Sequence, residues 1–294
     1  MLNSIIIVFV LFTCLIIPIA TAGIYILSEK RSKRRSPITE PLLPLPGETL
    51  SKSLQHQNIK LIMIMQAAIL IPSIVTIILL YQWVIPSQIK FHVLDIVLAV
   101  IFISSIAWSV YATKSIMEKR RAIIAGLQGE RATAQCFQPL LQEGWQIFHD
   151  LQCPRGNIDH VLVGPTGVFA IETKYRSKYA HIKGRQNALA QYDGQIILFS
   201  GKNREEIALQ QARAVSMELA KNLQGKLGHF VPVTPVVSLP GWYVEGRSLN
   251  THQEVIVLNP KNHALLTKRA VTIKPMLYNR ICAALTEMTL RGTQ

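Results

Sequence analysis

The feature that most constrains this chain is a pair of apolar runs within residues 157–174, separated by the turn sequence Gly-Pro-Thr-Gly. Proline presets one backbone dihedral of such a turn, and glycine tolerates positive φ, so the two runs are predicted to form a β-hairpin. A hairpin closed by the two glycines places Asp159 directly opposite Glu172. Side chains alternate between the faces of a strand, and Lys174 therefore shares the face of Glu172.

Two carboxylates opposite each other lie about 5 Å apart at their Cβ atoms and repel, which weakens an ordinary hairpin. A divalent cation between Asp159 and Glu172 would remove that penalty, and carboxylate oxygens are ligands that Mg²⁺ and Mn²⁺ prefer. The alternative is a surface strand with an exposed aspartate and a Glu172–Lys174 ion pair, since exposed pairs contribute little stability. We favour the cation site because the alternative leaves the opposed carboxylates uncompensated.

The order of these residues resembles the nuclease-related domain (NERD) family, a branch of the PD-(D/E)xK nuclease fold. The resemblance covers about residues 126–224, and its motifs are Gly129-Glu130, Ile158-Asp159-His160, Val163-Gly164-Pro165, Gly167-Val168-Phe169 and Ile171-Glu172-Thr173-Lys174. It implies an α/β, restriction-endonuclease-like domain with a central mixed β-sheet flanked by helices. The Trp and Asn-Pro features common in the family before its Gln-bearing helix are not evident in this chain, so substrate positioning is expected to differ.

The resemblance also implies hydrolysis of a phosphodiester with Mg²⁺ or Mn²⁺ as cofactor. The metal ligands it implies are Asp159, Glu172 and the carbonyl oxygen of Thr173. The catalytic residues it implies are Glu130, Asp159, Glu172, Lys174 and Gln211. Lys174 would orient water or neutralise developing charge, and Gln211 would steady Lys174 or a phosphate. For Glu130, the alternative is an acidic side chain that only stabilises a helix start.

Cations and aromatic residues alternate immediately downstream of the predicted site. Lysine and arginine hold phosphates, and tyrosine stacks on unpaired bases. The residues predicted to contact nucleic acid are Tyr175, Arg176, Lys178, Lys183 and Arg185. A solvated basic loop is the alternative explanation of this run. His160 is expected to be structural, because the hairpin points it to the face opposite that of Asp159.

Three apolar segments, residues 4–27, 61–85 and 91–112, precede this region. Each has more than 20 residues with almost no charge, which is long enough to cross about 30 Å of hydrocarbon. A buried core helix could explain one such segment, but three argue against that explanation. A cleaved signal peptide is the alternative for the first segment, yet no lysine or arginine precedes Lys30 and the apolar run is too long.

Basic clusters at residues 30–35 and 114–121 predict the orientation of these helices. By the positive-inside rule, the N-terminus lies outside, and residues 30–58 and 114–294 lie in the cytoplasm. The chain is thus expected to be a multi-pass protein of the cell (inner) membrane. No charged residue falls at the centre of an apolar segment, which argues against a transporter or channel.

The predicted organisation has four parts: a transmembrane helix (1–28), a basic and Pro-rich cytoplasmic linker (29–58), a transmembrane helical hairpin (59–113) and the cytoplasmic domain (114–294). Within the domain, a helical pattern is predicted to break near Gly126 and Gly129, which puts Glu130 in the first turn of the next helix. A further helix is predicted over residues 205–224. Further strands are predicted at residues 145–149, 180–182, 231–239 and 254–258.

The formal net charge of +14 suits a polyanion such as nucleic acid, and it also suits anionic lipid headgroups. The four cysteines show no CxxC spacing, so a cysteine-based zinc module is not expected. We therefore predict a membrane-anchored, metal-dependent nuclease acting on DNA. Its expected partners are nucleic acid, the lipid bilayer and a second copy of the chain through the transmembrane helices. Two alternatives remain: a non-catalytic, tethered nucleic-acid-binding or scaffold protein, and a membrane-embedded partner subunit.

Overall fold

The computed structural model describes residues 42–84, 93–154, 156–178, 185–200, 203–246, 255–270 and 272–291. The described residues divide into two compact units: one contains Gln55–Arg121, and the other combines the described parts of Glu40–Leu54 and Ala122–Gln294. The first predicted transmembrane segment, the basic cluster at 30–35 and the predicted strand at 180–182 lie outside the described residues.

Among the described residues, two long helices come first, α1 (Glu48–Val84) and α2 (Val93–Phe137). Both are long and apolar enough to cross a membrane. They contain residues 61–84 of the second apolar segment and 93–112 of the third. The described residues therefore provide two candidate membrane helices where the sequence predicted three.

The described residues form nine strands: β1 (Gln146–Cys153), β2 (Gly156–Gly164), β3 (Gly167–Thr173), β4 (Leu189–Tyr192), β5 (Ile197–Phe199), β6 (Arg204–Glu205), β7 (Val233–Ser238), β8 (Tyr243–Gly246) and β9 (Ile256–Leu258). The larger sheet has the order β1-β2-β3-β7-β9. Its first three strands are antiparallel, whereas β3 pairs with β7, and β7 with β9, in parallel. The predicted α/β class with a mixed sheet is confirmed.

The hairpin of β2 and β3 has the register expected from its turn. Gly164 pairs with Gly167, and His160 pairs with Ile171. A side chain at Gly164 would overlap the ring of Trp145, so the close approach of that ring requires glycine. The Gly-Pro-Thr-Gly chemistry therefore sets the register that decides which residues meet across the hairpin.

The larger sheet is covered on both faces. On one face it packs on α3 (Ile207–Leu227) and on α5 (Pro275–Arg291), through residues such as Leu219 and Ile281. On the other face it packs on the end of α2, where Phe137 is fully buried. The short helix α4 (Ala264–Thr267) adds Leu266 to this second face. Apolar faces buried on both sides drive this layered arrangement.

Strand β7 is buried along its whole length, as expected of a parallel strand between helical layers. Pro235 lies in its middle although proline cannot donate a ladder hydrogen bond. Strand β9 pairs with β7 only from Val236 onwards, so Pro235 has a neighbouring strand on one side only. The proline thus occupies a position where β7 behaves as an edge.

A second, smaller sheet of order β6-β5-β4-β8 follows the hairpin and was not predicted from the sequence. Its strands pack around Trp242, whose ring meets that of Phe199 edge to face at 4.7 Å between centroids. The start of α3 contributes Ala208 and Leu209 to the same cluster. The helix predicted from residue 205 in fact begins at Ile207, because Glu205 belongs to β6.

The predicted break in the helical pattern before Glu130 is wrong. Helix α2 continues through Gly126 and Gly129 to Phe137, so Glu130 lies near its C-terminal end. Each glycine costs the helix about 1 kcal/mol relative to alanine. Both serve close packing instead: a Cβ at Gly126 would lie 3.1 Å from Leu50, and one at Gly129 would lie 3.1 Å from Tyr175.

Candidate active site

Three carboxylates lie in one row across adjacent strands. The pairing of His160 with Ile171 places Asp159 and Glu172 at the next opposed position of β2 and β3. The pairing of His149 with His160 and of Leu151 with Ile158 places Asp150 of β1 opposite Asp159 in the same way. The row therefore runs Asp150, Asp159, Glu172, and its first member was not predicted.

Asp150 has an unusual backbone for a strand residue. Its φ of 51° falls in the left-handed region, which aspartate tolerates better than most residues. Its side chain is buried, and Oδ1 accepts a hydrogen bond of 3.0 Å from Asn157 Nδ2. Oδ2 accepts a further bond from the backbone N–H of Thr49. Both oxygens of this carboxylate therefore have a protein donor.

Asp159 accepts a 2.7 Å hydrogen bond on Oδ2 from the backbone N–H of Thr173. This bond ties Asp159 to the end of β3, next to Glu172. Burial, followed by the charges of Glu172 and Glu130, holds the pKa of Asp159 well above its usual range. The backbone bond lowers the pKa and only partly offsets these effects.

The pKa values of Glu130 and Glu172 are shifted in the same direction. Burial, with the charges of Asp150 and Glu172, raises the pKa of Glu130 to about 7. Burial also raises the pKa of Glu172 to about 7, although Lys174 opposes the increase. Helix α2 thus brings Glu130 into electrostatic contact with the row on the sheet. Four carboxylates interact here in a largely buried place, where mutual repulsion favours protonation or a cation.

The donor set suits a small oxygen-binding cation held by few protein ligands. In the described residues, no three His, Cys, Asp or Glu side chains come close enough to enclose one ion. Mg²⁺ usually keeps several waters and binds one or two carboxylates, which is what Asp159 and Glu172 offer. Burial and the neighbouring carboxylates raise the pKa values of both groups, and a cation bound between them would offset this effect. The residues present therefore fit a hydrated divalent cation.

Lys174 follows β3 and stays beside the site. Its backbone N–H donates a 2.9 Å bond to the carbonyl of Ser238, which continues the parallel pairing of β3 with β7. The positive charge of Lys174 lowers the pKa of Glu172, so the ammonium acts on the face of the carboxylates. Ser238 also bonds to Thr133 of α2 at 2.9 Å, which joins the helix that carries Glu130 to the sheet.

Residues 125–240 match the family model of the nuclease-related domain. The resemblance found in the sequence is confirmed over this region, hereafter the NERD region. It contains the carboxylate row, Lys174 and α3, and it spans less than half of the chain. Comparisons with curated proteins and with solved structures gave no match.

The residues predicted to contact nucleic acid fall in different settings within the NERD region. Tyr175 and Lys178 are exposed beyond the end of β3. Arg176 forms an ion pair with the buried Glu205, and its carbonyl accepts a 3.1 Å bond from Trp242 Nε1. Lys183 lies outside the described residues, and Arg185 begins a short 3-10 turn, Arg185–Ala188.

Gln211 lies on α3 with an exposed side chain. Glu205, which the sequence placed in that helix, is a buried neighbour of the site instead. Its Oε1 accepts a 3.1 Å bond from the N–H of Ala208 at the start of α3. Burial alone would raise the pKa of Glu205, but the bonds from Arg176 and Ala208 leave it lowered. The strand pairing of β6 that buries Glu205 has too few residues to be recognised from sequence.

His160 points away from the carboxylate row, as expected. It is fully buried, and its Nδ1 lies 2.9 Å from Nδ1 of His149. Burial lowers the pKa of His160 to about 3 and that of His149 to about 4. Both rings are therefore neutral at physiological pH, which fits a structural contact between β1 and β2.

Proposed function

We propose that this protein is a membrane-anchored nuclease that hydrolyses phosphodiester bonds of nucleic acid, with DNA as the preferred substrate. The observation that carries the proposal is the opposed pair Asp159 and Glu172, half-buried and with raised pKa values, with Lys174 on the same face. The match of the NERD region supports a nuclease-like activity, and a PD-(D/E)xK fold is consistent with the mixed sheet.

In this proposal Asp159, Glu172 and the carbonyl of Thr173 would hold one Mg²⁺ or Mn²⁺. The chemistry that such an ion supplies is polarisation of the phosphoryl oxygen and a lowered pKa for bound water. The backbone N–H of Thr173 keeps Asp159 oriented through its 2.7 Å bond. The positions of both carboxylates are thus fixed by β2 and β3 before a substrate arrives.

Lys174 would neutralise the negative charge that builds up on the phosphoryl group in the transition state. A fixed charge aimed at developing charge is among the strongest contributions to catalysis. Glu130, whose pKa is raised to about 7, is suited to exchange a proton with water at neutral pH. Gln211 would steady a phosphate from the surface of α3.

Substrate binding is assigned to the basic and aromatic run that follows the site. Arg176, Lys178, Lys183 and Arg185 would hold phosphates, and Tyr175 would stack on an unpaired base. Arg176 forms an ion pair with Glu205, and the charge of Lys174 also lowers the pKa of Glu205.

The proposal includes a multi-pass anchor in the cell (inner) membrane. The two apolar helices α1 and α2 support it, and the segment at 4–27 would add a third helix. The N-terminus would then lie outside, and the cytoplasmic parts would be residues 29–58 and 114–294. The helical hairpin at 59–113 would cross the membrane twice between them. The membrane helices also provide surfaces through which two copies could pair.

A cleavage panel tests the activity. The full chain in detergent is incubated with labelled single- and double-stranded DNA and RNA, in Mg²⁺, in Mn²⁺ and in EDTA. Cleavage of DNA with either ion and none in EDTA is expected. Binding of nucleic acid without cleavage in any ion would instead support the tethered scaffold, and cleavage of RNA alone would overturn the choice of DNA.

A further inference from the structure

Residues 44–50, which we name the strap, lead into the first turn of α1 and pack on the NERD region. Pro44 and Gly47 of the strap are buried. A Cβ at Gly47 would overlap Leu127 of α2 and would lie 3.4 Å from a carboxylate oxygen of Glu130. Gly47 also has a φ of 73°, so glycine is required for both its backbone and its contact. The strap therefore meets α2 at the turn that carries Glu130.

Helix α1 starts in the strap without a capping side chain of its own. The carbonyl of Gly47 accepts a 2.8 Å bond from the N–H of Ser51, which makes Gly47 the N-cap residue. Glycine has no side chain to bond the free amides of the first turn, whereas aspartate does this well. Asp150 supplies that bond to the N–H of Thr49 from 101 positions away in the chain. The helix start and the carboxylate also attract each other electrostatically.

The hydroxyl of Thr49 completes a small network around the same carboxylate. It accepts a 2.9 Å bond from Asn157 Nδ2 and a 3.2 Å bond from Gln152 Nε2. Asn157 Nδ2 also donates to Asp150 Oδ1. Strands β1 and β2 are thus joined to the strap, and Asp150 is bonded on both oxygens. Asp159, its neighbour in the row, has a single backbone donor.

We propose that Asp150 is a positioning residue of the carboxylate row and that the strap holds it in place. With both oxygens bonded to protein donors, Asp150 does not compete with Asp159 and Glu172 for the cation, and its fixed charge adds to the attraction for that cation. The inference rests on the proposed function for its effect on metal binding. The strap lies outside the NERD region, so a fragment cut at that boundary would lose it.

The test uses the full chain in detergent and two measurements, hydrogen exchange of the strap amides and the Mn²⁺ concentration that gives half-saturation. Thr49→Val removes the hydroxyl that two side chains bond, and Gly47→Ala dislodges the strap while leaving every carboxylate intact. The matched control is Gln55→Ala, which changes an exposed side chain about two turns further along α1. Asp150→Asn keeps an oxygen that can accept from Thr49.

The expected result is faster strap exchange and a Mn²⁺ midpoint raised about fivefold in Thr49→Val, the equivalent of one lost hydrogen bond, with a larger rise in Gly47→Ala. Gln55→Ala should match the wild type, and Asp150→Asn should keep the strap protected. A loosened strap with an unchanged midpoint would overturn the proposal. So would an Asp150→Asn chain that loses Mn²⁺ as completely as Asp159→Asn, because Asp150 would then be a ligand.

The proposed nuclease activity can be disproved independently of the proposed role of Asp150. Wild-type chain that binds Mn²⁺ and does not cleave nucleic acid would overturn the activity, while the midpoints of the strap variants would still decide the role of Asp150. Wild-type chain that binds no Mn²⁺ would overturn both.

Discussion

Replacing Glu172 with glutamine should stabilise the metal-free protein at high pH. The folded state raises the pKa of Glu172 from 4.5 to about 7, chiefly through burial. A carboxyl with a raised pKa binds more protons in the folded state than in the unfolded state, so stability falls as pH rises from about 4.5 to about 7. Glutamine carries no charge at any pH and removes this loss.

The shift in the pKa of Glu172 sets the size of the effect. A difference of roughly 2.5 pK units corresponds to about 3 kcal/mol above pH 7, at ~1.36 kcal/mol per unit. The carboxylates of the row repel one another and titrate together. One substitution is therefore expected to raise the free energy of unfolding by about 1–3 kcal/mol. For a domain of this size, 1 kcal/mol moves Tm by ~2–4 °C, which predicts a rise of roughly 5 °C at high pH.

The assay is thermal unfolding of full-length wild type and Glu172→Gln in detergent and EDTA, at about pH 5 and about pH 8. The rise in Tm should appear at the higher pH and nearly vanish at the lower one. In millimolar Mg²⁺ the order should reverse, since the wild type alone keeps the full ligand set. An equal change at both pH values, or a lower Tm for the variant at the higher pH in EDTA, would refute the electrostatic reasoning.

Three further outcomes are expected. Mg²⁺ or Mn²⁺ should raise the Tm of the wild type, and Asp159→Asn should remove most of that increase; equal melting of wild type with and without cation would contradict the site. Gly164→Ala should destabilise the domain by about 1–3 kcal/mol in denaturant unfolding, because a Cβ there would overlap Trp145. A reporter fused after Arg121 should be active only in its cytoplasmic form, and activity outside the cell would overturn the assigned orientation.

The hairpin was predictable because the residues that determine it are close together in the sequence. Gly-Pro-Thr-Gly fixes the turn and strand alternation fixes the faces. The observed pairing of His160 with Ile171 has the register that they predict, one position closer to the turn than Asp159 and Glu172. The mixed sheet followed from the family resemblance. These parts depend on residues that lie within a few positions of one another in the chain.

The remaining features depend on distant contacts or on short elements. Asp150 joins the row through the pairing of β1 with β2 at a residue just past the predicted first strand. Gly126 does not end α2 despite its weak helix propensity, and its lack of a side chain lets Leu50 approach the helix. The strap bonds Asp150 from 101 positions away, and the two residues of β6 carry no periodic pattern. Composition and spacing give no signal for contacts of this kind.

The most direct test of the account compares cleavage with binding in full-length wild type and Lys174→Ala. Rates of DNA cleavage are measured in Mg²⁺, and DNA affinity is measured in EDTA over a range of salt concentrations. The cleavage rate of the variant should be lower by ~10²–10³, because one preorganised charge is lost. Affinity should change little and should fall steeply with salt in both proteins. Equal, robust cleavage by both would place the chemistry elsewhere, and no cleavage by either with binding retained would contradict the nuclease itself.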